Sequence, residues 1–319
     1  MSLVDWAQEL QVWTEEYKSH TSKGKCADYI PVLAEANPAH LGICVLGKEG
    51  KLSAGDWQVP FTLQSISKII SFMVACLECG IDCVLKRVDV EPTGDAFDSI
   101  IRLEVSHQGK PFNPMINAGA ITIASIIPGA SPDEKLELIH KWIEKLIGKR
   151  APVNDSVFES EWKTANRNRA LAYYLKETGF LECEVEEALE VYLKHCSIEV
   201  QLEDLARMGW ILALDGYDPI QESQVIPKDL ARLTKAIMVT CGMYNASGKF
   251  AAFVGLPAKS GVSGGILSLM PPRLRSKGMP FREGCGIGIY GPAIDEYGNS
   301  VAGVELLKKL SDEWDFNIF

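Results

Sequence analysis

Residues 64–79 read QSISKIISFMVACLEC, a polar opening followed by an almost unbroken apolar run. The apolar run indicates a buried helix. Ser65 and Lys68 stand three residues apart, so a helix would place both side chains on one face, one turn apart. Serine is a weak nucleophile until a base takes its proton, and burial lowers the pKa of a lysine toward the range that a base needs. This stretch therefore predicts a serine nucleophile with a lysine base.

The Ser-x-x-Lys spacing is weak evidence alone, because it also occurs at Ser22 and at Ser160. A helix-capping serine with a lysine that reaches solvent is the ordinary alternative for such a pair. A second motif, KSG at residues 259–261, stands before the glycine-rich run of residues 264–267. In serine acyl enzymes with Ser-x-x-Lys, a Lys-Ser-Gly strand lies beside the nucleophile and supplies a cation and N–H groups for a developing oxyanion. The order of the two motifs fits that chemistry, although the Ser-Asp-Asn element that stands between them in such enzymes is absent.

Strand patterns lie near both ends of the chain, and helical patterns lie between them. We expect strands at residues 41–46, 51–54, 250–256, 264–270 and 286–290. We expect helices at residues 6–17, 65–79, 131–146, 162–178, 184–194, 202–214, 228–239 and 301–310. This arrangement predicts one α/β domain made of residues 1–70 and 240–319. Residues 71–239 would form an inserted, mainly helical domain, with the active site between the two.

The composition is that of a globular protein and excludes several classes of function. The chain has 319 residues, of which 47% are hydrophobic and 23% charged, so a disordered or fibrous protein is excluded. Its net charge of −10 makes it a poor binder of nucleic acid or of an anionic membrane surface. No apolar run approaches the ~20 residues of a transmembrane helix. The first residues lack the pattern of a signal peptide and the nine cysteines are scattered, so we expect a reduced, cytoplasmic protein.

Two patterns suggest metal or cofactor chemistry only weakly. Cys76, Cys79 and Cys83 have no second pair of cysteines or histidines at zinc-site spacing, so core cysteines are the better interpretation. The Gly-x-Gly-x-x-Gly string of residues 286–291 is not followed by a helix, and strand packing explains it better than a dinucleotide site does. We therefore expect neither a metal nor a cofactor.

Several further polar clusters, taken with both motifs, resemble the serine-dependent glutaminase family, which shares the fold of β-lactamases and penicillin-binding proteins. The matching stretches are residues 28–31, 64–68, 113–120, 160–168, 192, 196–200, 241–244, 255–265 and 295–300. The resemblance implies an α/β (α+β) fold of the β-lactamase/DD-peptidase type, with an antiparallel sheet flanked by helices and an inserted helical domain. The polar stretch of residues 273–283 looks longer than the family's usual loop.

The resemblance also implies a reaction, the hydrolysis of L-glutamine to L-glutamate and ammonia. Ser65 would attack the side-chain amide, and Lys68 would be its base. The backbone N–H groups of Ser65 and Val262 would form the oxyanion hole. Tyr192 and Tyr244 would line the site and carry protons to the leaving ammonia and from water.

The same resemblance assigns the groups that hold the amino acid head of the substrate. Glu161 would take the α-ammonium. The α-carboxylate would accept hydrogen bonds from Asn117, Asn168 and Tyr29. Lys259 would add positive potential that keeps the lysine base neutral, since like charges disfavour each other. The family further implies a homodimer or homotetramer that binds no nucleic acid, membrane or cofactor.

Two other functions stay open at this point. A β-lactam-recognising hydrolase or peptidase of the same fold is opposed by the absence of Ser-Asp-Asn and of a signal peptide, and by the pair Glu161 and Asn168. A non-catalytic glutamine-binding module is opposed by the presence of Ser65, Lys68 and both tyrosines, since a protein without activity does not need all four.

Overall fold

An antiparallel sheet joins the two ends of the chain. The structure is a computed structural model that describes residues 3–105, 109–273 and 279–319. Its strands are β1 (Gly42–Gly47), β2 (Gly50–Gly55), β3 (Phe61–Thr62), β4 (Glu199–Val200), β5 (Tyr217–Asp218), β6 (Ser223–Gln224), β7 (Ala258–Ser260), β8 (Gly265–Met270) and β9 (Cys285–Tyr290). In this part of the chain, the five-stranded sheet has the order β2-β1-β9-β8-β7, and every neighbouring pair is antiparallel. The strands predicted at residues 41–46, 51–54, 264–270 and 286–290 are thereby confirmed, with small shifts at their ends.

Helices cover both faces of the sheet and fill the middle of the chain. They are α1 (Leu3–Lys18), α2 (Pro31–Ala34), α3 (Ser67–Cys79), α4 (Ile81–Arg87), α5 (Ile101–Val105), α6 (Asn117–Ile126), α7 (Pro132–Ile147), α8 (Asp155–Thr164), α9 (Asn166–Glu177), α10 (Val185–Cys196), α11 (Leu202–Ala213), α12 (Lys228–Cys241), α13 (Ser247–Phe253) and α14 (Val301–Glu313). Within the described ranges, none of these helices combines the length and the apolar character that a membrane span requires.

Strand β9 shows why glycine alternates with isoleucine at the centre of the sheet. A Cβ atom on Gly286 would lie 1.8 Å from the carbonyl oxygen of Ala206, and one on Gly288 would lie 2.4 Å from that of Leu202. The two glycines therefore let the backbone of α11 lie directly on the sheet. The prediction that this glycine string serves strand packing is confirmed.

Two apolar cores lie on opposite faces of the sheet. One fills the space among α3, α6, α7, α10 and the inner face of α11, and the other lies between the sheet and helices α1 and α14. Helix α3 is buried from Ser67 to Cys76, which confirms the predicted buried helix. A short turn of 3₁₀ helix at Gln64–Ile66 precedes it. The division into domains at residues 70 and 240 stays a prediction.

Two predicted elements are wrong. Residues 250–256 were expected to form a strand, but Ser247–Phe253 is helix α13. Phe250 and Val254, four residues apart, are both buried. A spacing of four residues follows one face of a helix. The glycines on either side made the apolar segment resemble a strand. The single helix expected at residues 162–178 is two, α8 and α9, which meet at Ala165.

The polar stretch of residues 273–283 is described only at its ends, because residues 274–278 lie outside the described part of the chain. At those ends, the backbone N–H of Arg273 donates to the carbonyl oxygen of Arg282 at 2.7 Å. The side chain of Glu283 pairs with Lys48 at 2.6 Å. The first contact joins the two ends of the stretch, and the second attaches it to the turn between β1 and β2.

Candidate active site

The residues predicted for the site come together around one cavity of about 220 Å³. It lies where the start of α3 meets the start of α6, the α8–α9 junction and the end of α10. The predicted residues that line it are Tyr29, Ser65, Asn117, Glu161, Asn168, Tyr192 and Val262. Lys68, Tyr244 and Lys259 are buried behind this lining and contact its members or one another.

Ser65 follows a residue whose backbone is strained. Gln64 has a φ of +47°, in the left-handed region that a side chain disfavours. Such conformations cluster at functional sites, where the surrounding structure enforces them. The N–H of Leu63 donates to the carbonyl oxygen of Ile198 at 2.8 Å and fixes the chain just before the turn. Ser65 is thereby presented at the wall of the cavity, with its side chain still largely buried.

Lys68 lies one helical turn after Ser65 and is completely buried. Its Nζ donates to the carbonyl oxygen of Met115 at 3.1 Å and to Oδ1 of Asn117 at 2.6 Å. Burial lowers the pKa of Lys68 to about 8, and the negative charge of Glu161 opposes this shift. An amine with this pKa is partly neutral near neutral pH, which is the state that can accept the serine proton.

Asn117 is the centre of a hydrogen-bond network. Its Oδ1 accepts from Lys68 and from the hydroxyl of Tyr192, at 2.6 and 3.2 Å, and its Nδ2 donates to Oδ1 of Asn168 at 2.9 Å. Because an ammonium group can only donate, the amide oxygen must face Lys68. The second N–H of the amide has no protein acceptor among the hydrogen bonds of the described residues, so it remains free to bind a substrate.

Glu161 is a buried acidic side chain in the lining of the same cavity. Its nearest polar contact is Nε2 of Gln64, at 3.5 Å from Oε2. Burial raises the pKa of Glu161 to about 7, and the contacts with Gln64 and the charge of Lys68 only partly offset that effect. Within the described ranges it has no ion-pair partner, so the geometry provides a buried anionic position that a cationic group would stabilise.

Tyr244 and Lys259 form a stacked pair behind the nucleophile. The Nζ of Lys259 lies 4.3 Å from the centre of the Tyr244 ring and donates to the carbonyl oxygen of Ser260 at 2.6 Å. Tyr244 has a φ of +53°, a second strained position in this site. Burial raises the pKa of Tyr244, and the nearby hydroxyl of Ser65 lowers it in part. Burial and the charge of Lys68 lower the pKa of Lys259.

The Lys-Ser-Gly turn approaches the backbone that leads to the nucleophile. A Cβ atom on Gly261 would lie 2.5 Å from the carbonyl oxygen of Leu63, so only glycine fits there. Ser263 donates to the carbonyl oxygen of Thr62 at 2.7 Å and ties the same turn to the same segment. Val262 lies between these two attachments and lines the cavity beside Ser65.

The remaining predicted residue, Tyr29, lies at the rim, and several lining residues had not been predicted. Tyr29 is more than half exposed, in the loop before α2. The unpredicted lining residues include Gln64, Phe97, Asp98, Arg167 and Cys196. Arg167 and Gln64 stand next to predicted residues in the sequence, which is a signal that could have found them. Phe97 and Asp98 come from the segment between α4 and α6, which carries no motif.

The structure places no metal-binding group in this site or elsewhere in the described residues. Among those residues, no three histidine, cysteine, aspartate or glutamate side chains are grouped as metal ligands. Cys76 is buried and Cys83 is exposed, and both are free thiols.

Comparison with known proteins gives one consistent result. A family profile described as Glutaminase matches residues 24–319. Glutaminase 2 of Bacillus anthracis is 65% identical over 311 residues, which are 97% of this chain and 95% of that protein. Glutaminase 1 of Bacillus subtilis is 64% identical over 317 residues, which are 99% of this chain and 97% of that protein.

Two solved structures are similar to this chain over almost its whole length. The crystal structure of a probable glutaminase from Bacillus subtilis has a TM-score of 0.94 and 61% identity, covering 100% of this chain and 99% of that one. A probable glutaminase from Bacillus subtilis complexed with 6-diazo-5-oxo-L-norleucine has a TM-score of 0.90 and 60% identity, covering 98% and 97%. The predicted fold, that of the β-lactamases with an antiparallel sheet flanked by helices, is confirmed. On its sequence and its structure alike, the chain is a member of the glutaminase family.

Proposed function

We propose that this protein hydrolyses L-glutamine to L-glutamate and ammonia through an acyl-enzyme on Ser65. The observation that carries the proposal is the position of Lys68, fully buried one turn behind Ser65 and with a pKa of about 8. Neutral Lys68 takes the hydroxyl proton as Ser65 Oγ attacks the side-chain amide carbon. The C–N bond then breaks, and the nitrogen leaves as ammonia with the proton that Lys68 accepted. Water cleaves the resulting ester, returns a proton to Ser65 and releases glutamate.

The oxyanion of each tetrahedral intermediate would be held by the N–H groups of Ser65 and Val262. The support for this pairing is the attachment of the Lys-Ser-Gly turn to the backbone just before Ser65, through Gly261 and Ser263. A single donor of this kind contributes about 3 kcal/mol to the stability of the transition state in other acyl enzymes.

The two buried tyrosines would serve as proton relays in their neutral form. Burial raises the pKa of Tyr192 and of Tyr244 well above 10, so neither is ionised near neutral pH. Each can therefore donate its proton and accept another in the same step, but neither acts as a stored phenolate base. Tyr244 adjoins Ser65, and Tyr192 donates to the amide oxygen that Lys68 also contacts.

The amino acid head of the substrate would bind between Glu161 and the two asparagines. A buried carboxylate that forms no ion pair with any described residue suits the α-ammonium, which restores the charge balance. The free N–H of Asn117, the amide of Asn168 and the hydroxyl of Tyr29 suit the α-carboxylate. The protein is further proposed to be a cytoplasmic homodimer or homotetramer; the family resemblance supports the oligomer.

The test measures ammonia release from L-glutamine, from L-asparagine and, in parallel, turnover of a chromogenic β-lactam. The wild type, Ser65→Ala and the matched control Ser22→Ala are compared, because Ser22 has the same Ser-x-x-Lys spacing but is exposed. We expect release from glutamine that Ser65→Ala abolishes and Ser22→Ala retains. Ammonia release by folded Ser65→Ala would exclude Ser65 as the nucleophile.

The other outcomes of this test identify the competing functions. Turnover of the β-lactam without release from glutamine would support a hydrolase of the peptidase type. If no substrate is turned over, and L-glutamine binds and is recovered intact, the result would support a binding module. Labelling by 6-diazo-5-oxo-L-norleucine adds a check on Ser65: loss of N₂ would leave an ether on Ser65 Oγ, detected by intact mass in the wild type and absent in Ser65→Ala.

A further inference from the structure

Three polar side chains are buried directly beneath the nucleophile turn, and the reaction above uses none of them. Ser67 begins helix α3, and His195 and Cys196 end helix α10. His195 and Ser67 are at most 1% exposed, and Cys196 is 2% exposed. The three contact one another: Nδ1 of His195 lies 2.7 Å from Oγ of Ser67, which lies 3.6 Å from Sγ of Cys196.

The hydroxyl of Ser67 connects this cluster to the strained peptide. Its Oγ donates to the carbonyl oxygen of Gln64 at 2.6 Å, and the backbone N–H of Ser67 donates to the same oxygen. A carbonyl oxygen only accepts, and at this distance it must receive the single hydroxyl proton of Ser67. The thiol of Cys196 is a distant and much weaker acceptor.

This proton assignment fixes the tautomer of His195. Since the proton of Ser67 points to Gln64, the proton between His195 and Ser67 must be on Nδ1 of the imidazole. The other ring nitrogen, Nε2, is buried with no hydrogen-bond partner in the described residues. Burial and the charge of Lys68 lower the pKa of His195 to about 3, so the ring stays neutral. A ring held in this way is unsuited to acid–base work.

We propose that His195 and Ser67 are positioning residues that orient and polarise the Gln64–Ser65 peptide, whose N–H is one donor of the oxyanion hole. The hydrogen bonds run in one direction, from His195 Nδ1 to Ser67 Oγ and on to the carbonyl oxygen of Gln64. The proposal rests on the proposed function, because the peptide matters to catalysis only if Ser65 is the nucleophile.

The physical reason is the connection between the two ends of one peptide group. Hydrogen bonds accepted by the Gln64 carbonyl draw electron density from the amide and make the N–H of Ser65 a stronger donor. The same bonds fix the plane of the Gln64–Ser65 peptide, and with it the direction of that N–H, directly after the positive φ of Gln64. An oxyanion hole requires its donors to point to the oxyanion before the reaction begins. This action favours the transition state over the bound substrate, so it raises kcat rather than lowering KM.

The test compares four variants in glutamine hydrolysis. Ser67→Ala removes the hydroxyl that donates to the Gln64 carbonyl, and His195→Leu removes the imidazole that donates to that hydroxyl. In His195→Asn, the amide nitrogen can take the place of Nδ1. We expect kcat to fall about tenfold in the first two, with KM within about twofold, and to recover at least partly in His195→Asn. Because His195 acts through Ser67, the double variant Ser67→Ala/His195→Leu should be no slower than Ser67→Ala alone.

A matched control separates positioning from general damage to the core. His140 is also buried, in helix α7, and its pKa is also lowered by burial. His140→Leu should keep the wild-type kcat. Three results would each overturn the proposal. The losses of kcat could multiply in the double variant, kcat could fall as far in His140→Leu as in His195→Leu, or His195→Asn could fail to restore kcat.

The same measurements keep the two proposals apart. If the wild type hydrolyses glutamine and Ser65→Ala does not, the proposed function holds. A wild-type kcat for Ser67→Ala would then overturn the positioning role alone. If His195→Leu does not fold, as judged by the loss of its cooperative thermal transition, Ser67→Ala and His195→Asn decide the matter between them. A wild type inactive on glutamine would overturn both proposals.

Discussion

Replacing Glu161 by glutamine should weaken substrate binding and, at the same time, stabilise the free protein above pH 7. The two effects have one cause, a buried carboxylate that is proposed to bind the α-ammonium of the substrate. Glutamine has nearly the same shape as glutamate and can still accept the hydrogen bond from Gln64. The substitution therefore removes the charge and leaves the packing largely intact.

The expected gain in stability follows from the pKa of Glu161. Burial raises this pKa from 4.5 to about 7, so the folded state holds the proton more tightly than the unfolded state does. Stability is consequently lost as pH rises from about 4.5 to about 7, and above pH 7 the full penalty of about 3 kcal/mol applies. Glu161→Gln removes that penalty, so its advantage should be largest at pH 8 and small at pH 5.

The expected loss of binding follows from the ion pair that the substrate would form. Removing one member of a buried, hydrogen-bonded charge pair costs about 2 kcal/mol or more. That energy corresponds to a rise in KM for glutamine of about 30-fold or more. The effect on kcat should be smaller, because the α-ammonium takes no part in the bond changes.

The assay combines denaturant unfolding at pH 5 and pH 8 with steady-state kinetics on glutamine. Glu159→Gln is the matched control: Glu159 lies on the same helix, is exposed, and forms only a surface pair with Lys163 at 3.7 Å. It should change the free energy of unfolding by less than about 0.5 kcal/mol and leave KM unchanged. An unchanged KM in Glu161→Gln, or a free energy of unfolding at pH 8 below that of the wild type, would refute the reasoning.

Four further predictions concern the fold and the network around the base. Gly286→Ala should lower the free energy of unfolding by about 2 kcal/mol or more in denaturant titrations, because its Cβ would lie 1.8 Å from the carbonyl oxygen of Ala206. Gly248→Ala, with no atom within 4 Å of its Cβ and a place in helix α13, should instead stabilise the protein by up to about 1 kcal/mol; destabilisation would contradict this. Tyr192→Phe removes the proposed proton relay and should lower kcat about 100-fold, so a near-normal kcat would reject the relay. Asn117→Ala removes the 2.6 Å acceptor of the lysine base, and should lower kcat and raise KM together in steady-state kinetics.

The sequence predicts those parts of the site whose signals are local. The spacing of Ser65 and Lys68 and the apolar run after them are sufficient to predict one face of a buried helix, and the structure has it. The Lys-Ser-Gly motif of residues 259–261 predicts a strand beside Ser65, and the structure places Gly261 against the backbone just before Ser65. The other site residues were assigned through the family resemblance, since an asparagine or a glutamate alone has many ordinary explanations.

What the sequence does not predict depends on contacts between distant segments. Phe97 and Asp98 line the cavity only because the segment between α4 and α6 crosses its edge, and no periodicity encodes that crossing. The break at Ala165 is another case. Its neighbours Thr164 and Asn166 have only modest helix propensity, but neither is a glycine or a proline, so a single helix was expected. The break lies between Glu161 and Asn168, and both of these residues line the same cavity.

The charge of Glu161 affects both the proposed binding of the substrate and the pKa of Lys68, the proposed base. The carboxylate of Glu161 raises the pKa of Lys68, against the larger lowering that burial causes. In the proposed mechanism the active free enzyme has Glu161 ionised and Lys68 neutral, and the two pKa values are about 7 and about 8. Below pH 7, the logarithm of kcat/KM should therefore rise with pH with a slope near about 2.

Glu161→Gln removes one of these two ionisations and also the charge that raises the pKa of Lys68. Its profile of kcat/KM should have a slope near about 1 and an inflection at lower pH than the wild type, although its absolute values are smaller. Loss of a packing contact alone would lower kcat/KM equally at every pH and leave the shape of the profile unchanged. Measuring kcat/KM from pH 5.5 to pH 9.5 for both proteins separates the two causes. A slope near about 1 with the inflection of Lys68 unchanged would show that Glu161 binds the substrate without tuning the base, and a parallel downward shift would show that its charge does neither.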